Sequence, residues 1–251
     1  MKKIILLFAV LVLMIALPAA SDNLNVKIID IEGSVTIMKA NGAELQAQTG
    51  QILGVGDRVI TGSRSICDLE FAPKTYSRLG EMSDMTISQA NLEAKKRLFG
   101  SSNKKQINLN LSKGNLLSKI GKLGASENFS VKTPTAVVGV RGTIFNTASS
   151  PAGTNVSVFQ GSVVVTNLMS NISSVVPAGQ SLSVSSSPSS SGAGEQTSIP
   201  AAEVKAIAEI AGAPAAPQIS AQIVKTTEQL INQPTIITKP VSKNSVIINF
   251  K

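Results

Sequence analysis

The chain has 251 residues, no histidine, no tryptophan, one cysteine and a formal net charge of +8 at neutral pH. Histidine is the commonest general base and zinc ligand, and a single cysteine can neither close an intramolecular disulfide nor build a cysteine-rich metal site. The composition therefore argues against Ser-His chemistry, zinc chemistry and a disulfide framework, and we expect no bound cofactor.

The first twenty residues have the layout of a secretory signal. Two lysines precede an uninterrupted apolar run from Ile4 to Leu17, and small residues follow it. The 14 residues of this run fall short of the ~20 that a helix needs to cross the hydrocarbon core. We therefore predict a signal peptide at 1–20, cleaved near Ala20, and a mature protein that is periplasmic or extracellular with at most a peripheral membrane contact.

From residue 25 to residue 185 the sequence indicates short β-strands separated by glycine turns. Asn41 and Gly42 form a turn pair that predicts a hairpin. Farther along, Ile107, Leu109 and Leu111 alternate with polar residues, which is the two-residue period of a strand with one buried face. We predict one all-β domain at 25–185, whose many short strands form a sandwich, a roll or a short β-solenoid.

The single cysteine, Cys67, lies in the alternating run "SICDLEFA". Free cysteine is among the most buried residue types and behaves as a small apolar side chain. We therefore expect Cys67 to face the core rather than to act in redox chemistry or cross-linking.

The composition changes near residue 185. Eight of the eleven residues from Ser181 to Ser191 are serine, and we predict a serine-rich linker at 186–200, because such a stretch buries too little apolar surface to fold. Proline precedes and glycine follows Ala201–Ala211, which favours a helix there. A second helical candidate and the final "SVIINFK" complete the prediction for 201–251, a small helical C-terminal extension ending in a short strand.

Positive charge is concentrated between residues 91 and 132, where nine basic residues accompany two acidic ones. Such a stretch can meet an anionic envelope polymer or lipid head groups, or it can be a solvated face that keeps the protein soluble. Nucleic acid is not the expected partner, because an exported chain with so few aromatic residues offers little for base stacking. The candidate contacts to an anionic surface are Lys95, Lys96, Arg97, Lys104 and Lys105.

The most informative stretch is "NFSVKTPTAVVGVRGTIFN", residues 128–146. Gly139 and Gly142 bracket Arg141 in a run that is otherwise rich in valine. Glycines at such positions allow a positive φ or a close backbone approach. The segment is therefore predicted to turn a corner between strands, with Arg141 at that corner.

This stretch resembles the hallmark of the FecR domain family, F-x-V-x-T-P-T-A-V-x-x-V-R-G-T-x-F, which the chain matches from Phe129 to Phe145. Four further pieces occur in the order expected for the family: "GDRVITG", "GNLLSKI", "VSVFQGSVVV" and "PAGQSL". The resemblance implies an all-β fold and a binding role outside the cytoplasm. The name-giving members of the family are relay proteins with a cytoplasmic segment that controls a sigma factor. Only three residues precede the apolar run here, and we expect them to leave no room for such a segment. The resemblance therefore does not imply control of a sigma factor.

Two interpretations of the motif compete. In the structural one, the Arg141 guanidinium satisfies buried carbonyls across the corner, since five donors in a fixed fork suit that task. In the functional one, Arg141 is an exposed anchor for a carboxylate or phosphate of a partner. We favour the structural one, because the neighbouring valines imply burial, and expect Arg141→Ala to lower the melting temperature. The candidate residues for structural support or partner contact are Thr133, Pro134, Gly139, Arg141, Gly142 and Thr143.

The sequence thus predicts an exported binding or scaffold module of the cell envelope, not an enzyme, whose partner is an envelope protein or an anionic envelope polymer. The alternative is a sensory accessory protein for an envelope receptor or transporter. An envelope hydrolase is less favoured, because its carboxylate pair would have to come from acidic residues that usually face solvent or form turns. These residues are Asp57, Asp68, Glu70, Glu81 and Asp84. The oligomeric state is left open.

Overall fold

A computed structural model describes residues 22–96, 101–124, 127–187 and 194–199. The predicted signal peptide at 1–20 and the predicted helical tail at 201–251 lie outside these ranges. Within them the chain is all-β, as predicted, and no helix is long and apolar enough to span a membrane.

The described residues form eighteen strands. The first nine are β1 (Asp22–Asn23), β2 (Val26–Glu32), β3 (Val35–Met38), β4 (Glu44–Gln46), β5 (Ile52–Leu53), β6 (Arg58–Thr61), β7 (Ile66–Ala72), β8 (Thr75–Leu79) and β9 (Asp84–Lys96). The second nine are β10 (Ser101–Ile120), β11 (Asn128–Lys132), β12 (Ala136–Val140), β13 (Ile144–Ser150), β14 (Gly153–Gln160), β15 (Ser162–Asn167), β16 (Ser173–Pro177), β17 (Gln180–Ser185) and β18 (Glu195–Ser198).

Strand pairing arranges these elements in two open sheets. Sheet A has the order β4-β3-β6-β9-β10-β11-β12-β15-β16, with the short β1 also beside β9. Sheet B has the order β5-β2-β7-β8-β10-β13-β14-β17-β18. Only β10 and β11 run parallel among these pairs, so the structure is mixed but almost wholly antiparallel.

Strand β10 belongs to both sheets. Its residues up to Lys113 pair in sheet A with β9, and its residues from Gly114 onward pair in sheet B with β8 and β13. Gly114 has φ +98°, a conformation that side chains other than glycine rarely adopt. This glycine therefore marks the point where the strand passes from one sheet to the other.

The inner faces of the two sheets share one apolar core. Phe71 and Phe145 of sheet B contact Phe129 of sheet A edge to face, with ring centroids 5.9 Å and 6.4 Å apart. Alternate residues of each strand enter this core, as expected for half-buried strands. The two sheets therefore pack as two layers against one shared core.

Several local predictions can be compared with the strands. The Asn41-Gly42 hairpin is confirmed: it joins β3 and β4, Gly42 has φ +86°, and its N–H donates to Lys39 O at 2.8 Å. Cys67 is fully buried in the core, as expected, and burial raises the pKa of its thiol to about 12.

The linker prediction is wrong at one point. Residues 195–198, inside the predicted linker, form β18 and pair with β17. All four side chains of β18 are exposed, so apolar burial was not required for this strand. Its pairing rests on backbone hydrogen bonds, which composition does not reveal.

Candidate binding surface

The FecR-like motif forms a corner between the two sheets. β12 of sheet A ends at Val140, β13 of sheet B begins at Ile144, and three residues connect them. Gly142, the middle one, has φ +71°, which confirms that the motif needs a glycine there. The corner is tied to the end of β10, because the Ile120 N–H donates to Thr143 O at 2.9 Å.

Arg141 is exposed at this corner, and no hydrogen bond or ion pair joins it to another described residue. The structural interpretation, which placed its guanidinium among buried carbonyls, is therefore wrong. Val138 and Val140 do enter the core, but the strand ends at Val140. The burial of the valines consequently does not extend to the next residue, which lies in the turn.

Two lysines share the corner with Arg141. The Gly121 N–H donates to Lys74 O at 2.8 Å, which places the turn between β7 and β8 against the end of β10. Lys122 Cα lies 3.2 Å from the position that a Cβ on Gly142 would occupy. Both lysines are exposed, and neither has an ion pair within the described chain. We call Lys74, Lys122 and Arg141 the basic corner.

The remaining motif residues lie elsewhere or support the backbone. Thr133 is buried at the opposite end of β12, about 16 Å away at 3.3 Å per residue. Its Oγ1 accepts from the Ala136 N–H at 3.0 Å and lies 2.7 Å from Thr154 Oγ1. Pro134 is exposed in the same turn. The six candidate residues therefore do not form one site.

Gly139 and Thr143 differ in how closely their surroundings pack. Gly139 lies within β12 without a positive φ, and a Cβ there would meet only Val164 O, at 3.8 Å. Gly139 therefore has neither the positive φ nor the close backbone approach that its place in the motif suggested. Thr143 is buried against Gly161, where an added Cβ would lie 2.8 Å from Thr143 Cγ2.

Of the five cations proposed for an anionic surface, the four that the structure describes do not belong to the basic corner. Lys95, Lys96 and Lys104 are in the long β9–β10 ladder, while Arg97 lies outside the described residues. Lys105 is only 9% exposed. Desolvation lowers the pKa of its ammonium, and the charge of Glu127 partly opposes that shift. A buried lysine is unsuited to an extended anionic surface, so Lys105 is removed from this set.

Three of the acidic residues weighed as catalytic carboxylates are ion-paired. Asp57 pairs with Lys39, Asp84 accepts from Arg58 Nε at 2.6 Å, and Asp68 accepts from Arg78 Nε and Nη2 at 2.7 and 2.8 Å. The backbone N–H of Arg64 donates to Glu81 at 2.7 Å. Glu70 is half-buried in β7.

Sequence reasoning missed the buried arginine, which is Arg78, and did not place Lys74 and Lys122 beside Arg141. The alternation in "SICDLEFA" does place Asp68 on the face opposite Cys67 and Leu69, which is a usable signal. Lys74 and Lys122 are 48 residues apart and meet only through the pairing of β8 with β10. No local pattern carries that information.

The fold and the corner together define an all-β domain of two layers, with an exposed, glycine-dependent corner at Gly142 between them. Residues 57–164 match the family model described as FecR protein. This stretch contains the corner, and the match confirms the resemblance to the FecR domain family seen in the sequence. β1 to β5 precede the matched residues, and β16 to β18 follow them.

Solved structures similar to the chain include two crystal structures of a proposed anti-sigma factor from Parabacteroides distasonis. Their TM-scores are 0.44 and 0.43, and their sequence identities are 16% and 17%. Each match covers 62% of this chain, and 64% and 65% of those chains, so the present chain spans less than two thirds of their length. No curated protein matches the chain.

Proposed function

We propose that this chain is an exported binding module of the cell envelope and that its FecR domain receives an anionic group of a partner protein at the basic corner. The observation that carries the proposal is the exposed Arg141, which has no ion pair with a described carboxylate. Its turn is held in place by the positive φ of Gly142 and by the hydrogen bond to Ile120.

The chemistry of the basic corner favours a carboxylate or a phosphate. A guanidinium presents a rigid fork of donors that matches either group through two parallel hydrogen bonds. Lys74 and Lys122 add two further positive charges, and an ammonium group does not need the paired alignment of a guanidinium. Exposed charges of this kind contribute mainly to the association rate and to the choice of partner. We therefore expect binding that weakens as salt screens the charges.

Export and the absence of catalysis belong to the same proposal. Export is supported by the apolar run from Ile4 to Leu17 and the small residues after it. A binding role rather than catalysis is supported by the lack of histidine and by the ion pairs that engage Asp57, Asp68 and Asp84.

A sensory accessory protein is the second candidate, and the match of residues 57–164 to the FecR family favours it. A sensor requires one receptor whose affinity for this chain changes with the receptor's own ligand. A scaffold requires no such change. Affinity for the captured receptor, measured with and without its ligand, distinguishes the two.

The test is a pull-down from solubilised envelope with the mature protein, with Arg141→Glu and with Lys132→Glu, each at low and high salt. Lys132 is exposed at the other end of β11 and serves as the matched charge reversal. We expect one or two envelope proteins to bind the mature protein and Lys132→Glu, and to be lost with Arg141→Glu. Equal melting temperatures of the three proteins exclude misfolding as the cause.

Two results contradict this assignment. Capture of the same proteins by Arg141→Glu would show that the corner is not the contact. Capture of lipid or anionic polymer alone, abolished at high salt, would replace a partner protein with a general surface association through the basic stretch between residues 91 and 132.

A further inference from the structure

The face of sheet B that points away from the core is closed to solvent. Strand register places six side chains of this face in one transverse line across β7, β8, β10, β13, β14 and β17. Each is at most 2% exposed. We call this line the outer row; it consists of Asp68, Arg78, Leu117, Asn146, Ser157 and Ser181.

The burial of this face does not come from the core. Leu117, Ile144 and Phe159 are each 2% exposed, yet none belongs to the apolar cluster between the sheets. Arg78 is 0% exposed although it lies on the outer side of its strand. An arginine in the middle of a sheet cannot lose all contact with water unless something covers it.

The covered face contains buried polar groups as well as apolar side chains. Arg78 donates to both oxygens of Asp68, and Asn146 Oδ1 is buried without a hydrogen-bond partner in the described chain. None of Arg78, Lys119 and Ser157 lacks a polar partner. Whatever covers this face must therefore combine an apolar side with hydrogen-bonding groups.

A groove of about 670 Å³ continues the outer row at the next register position. Its lining includes Ala148, Asn155, Ser183 and Glu195, which are successive ladder partners on β13, β14, β17 and β18. The outer face of sheet B is thus concave beside β18, which is the last described strand of the chain.

None of the described strands lies over the outer face of sheet B. Each strand of sheet B has its extensive contacts with its neighbours in the sheet or with strands at the edge of the two layers. The chain itself leaves the described region at Ile199, two residues after Thr197, the ladder partner of Ser181. Fifty-two residues follow Ile199. Their starting point lies at the end of the outer row.

The length of this segment is sufficient. The outer row spans five strand spacings, or about 24 Å at ~4.8 Å each. A helix over 201–211 would cover about 16 Å at 1.5 Å per residue, and forty residues remain beyond it. In that sequence Val204, Ile207 and Ala208 fall on one helical stripe, opposite to polar residues such as Glu209.

We propose that the C-terminal segment 201–251 lies across the outer face of sheet B and that the apolar stripe of 201–211 covers Leu117 and Phe159. The segment then seals the Asp68–Arg78 pair from water. It also withholds this face from other molecules. The inference does not depend on the function proposed for the basic corner.

The first test uses the mature full-length protein with Cys67→Ser and one new cysteine. Asn146→Cys reports on the outer row, and Ser162→Cys is the exposed reference on β15. We expect a thiol reagent to label Asn146→Cys at least about tenfold more slowly than the reference. Adding Val204→Asp and Ile207→Asp should bring its rate close to the reference, whereas Ile52→Asp on the exposed edge strand β5 should leave it slow.

The second test needs no core substitution and covers the case in which Asn146→Cys misfolds. A short amine-reactive cross-linker on the otherwise unchanged mature protein should join Lys119, at the outer face, to Lys205 within one chain. Rapid labelling of Asn146→Cys in the mature protein, at an unchanged melting temperature, would show that the outer face is open although segment 201–251 is present. Protection that grows with protein concentration, or Lys119 links between chains only, would show a second copy there. Either outcome overturns the proposal.

Discussion

Two arginines in strands or turns of this protein have opposite surroundings. Arg78 is wholly buried and holds Asp68 through two parallel hydrogen bonds, while Arg141 is exposed at the basic corner without an ion pair in the described chain. Arg78 follows Ser77 in "TYSRL", whereas Arg141 follows Val140 in a valine-rich run, so the neighbouring residues alone would have favoured burial of Arg141. Arg78 lies inside β8 on the covered outer face of sheet B, whereas β12 ends one residue before Arg141 and leaves it in an exposed turn.

These surroundings predict different costs of truncation. Arg78→Ala leaves the Asp68 carboxylate buried and uncompensated, and we expect it to lower the free energy of unfolding by about 3–5 kcal/mol. Arg141→Ala removes an exposed side chain and should change that free energy by less than about 0.5 kcal/mol. Urea unfolding of both variants measures the difference. Similar losses for the two arginines would contradict the assignment.

The aspartate of the "GDRVITG" piece, Asp57, holds neighbouring backbone segments together. Burial alone would raise the pKa of its carboxyl, but donors from Gly54, Lys39 and Ala40 together hold that pKa below its ordinary value of 3.8. The Gly54 N–H donates at 2.8 Å and the Ala40 N–H at 3.1 Å. This carboxylate therefore joins the turn before β6 to the hairpin of β3 and β4.

A depressed folded pKa means that Asp57 stabilises the protein above pH 3.8 and loses this contribution as the pH falls through the lower folded value. We expect Asp57→Asn to lower the free energy of unfolding at neutral pH by about 1–3 kcal/mol. The gap between variant and parent should narrow on acidification. Glu44→Gln, on the exposed strand β4, is the control and should show no such gap. A gap that is constant with pH would disprove the role of the charge.

At the level of elements, the passage of β10 from sheet A to sheet B depends on one glycine. A Cβ on Gly114 would lie 2.0 Å from Ser83 Oγ and 2.4 Å from Ser83 Cα. Because Ser83 Cα is backbone, the clash cannot be relieved by rotating a side chain. The neighbouring hydrogen bond from the Asn115 N–H to Ser83 Oγ, 2.9 Å long, fixes the same contact.

We therefore expect Gly114→Ala to destabilise the protein by about 1–3 kcal/mol from its backbone conformation, with the steric clash in addition. Gly139→Ala is the matched control, since its backbone is ordinary and the nearest atom is 3.8 Å away. That variant should be neutral or slightly more stable. Thermal unfolding of the pair measures the contrast, and equal melting temperatures would refute it.

The sequence predicts strands and core faces well, but not sheet membership. The alternation of Ile107, Leu109 and Leu111 places all three in the core, where each is at most 1% exposed. Nothing in that period indicates that the same strand enters a second sheet at Gly114, three residues after Leu111. The corner at Gly142 was predictable from its glycine, whereas its lysines depend on ladder partners far away in the chain.

At the level of the whole molecule, the shared strand β10 couples the strands that precede it to the strands that follow it. β8 and β13 both pair with β10 in sheet B, and β9 and β11 both pair with it in sheet A. The apolar core is also continuous from Val26 to Val184. Neither half has its own separate core.

We therefore expect one cooperative unfolding transition. Hydrogen exchange of backbone amides in β7 and in β14, followed by mass spectrometry at increasing urea, should give coincident midpoints. Two midpoints would show that the halves unfold independently. Arg78→Ala, which acts in the first half, should shift both midpoints together.

The order of the last strands has a consequence for how such a chain can vary in length. After β10, hairpins alternate between the layers: β11–β12 and β15–β16 lie in sheet A, while β13–β14 and β17–β18 lie in sheet B. An inserted pair of hairpins, one per layer, would extend the molecule by two strand spacings, about 10 Å. The turn at Gly142 would keep its neighbours. Evolution can thus lengthen or shorten this end in whole-hairpin steps without rebuilding the basic corner.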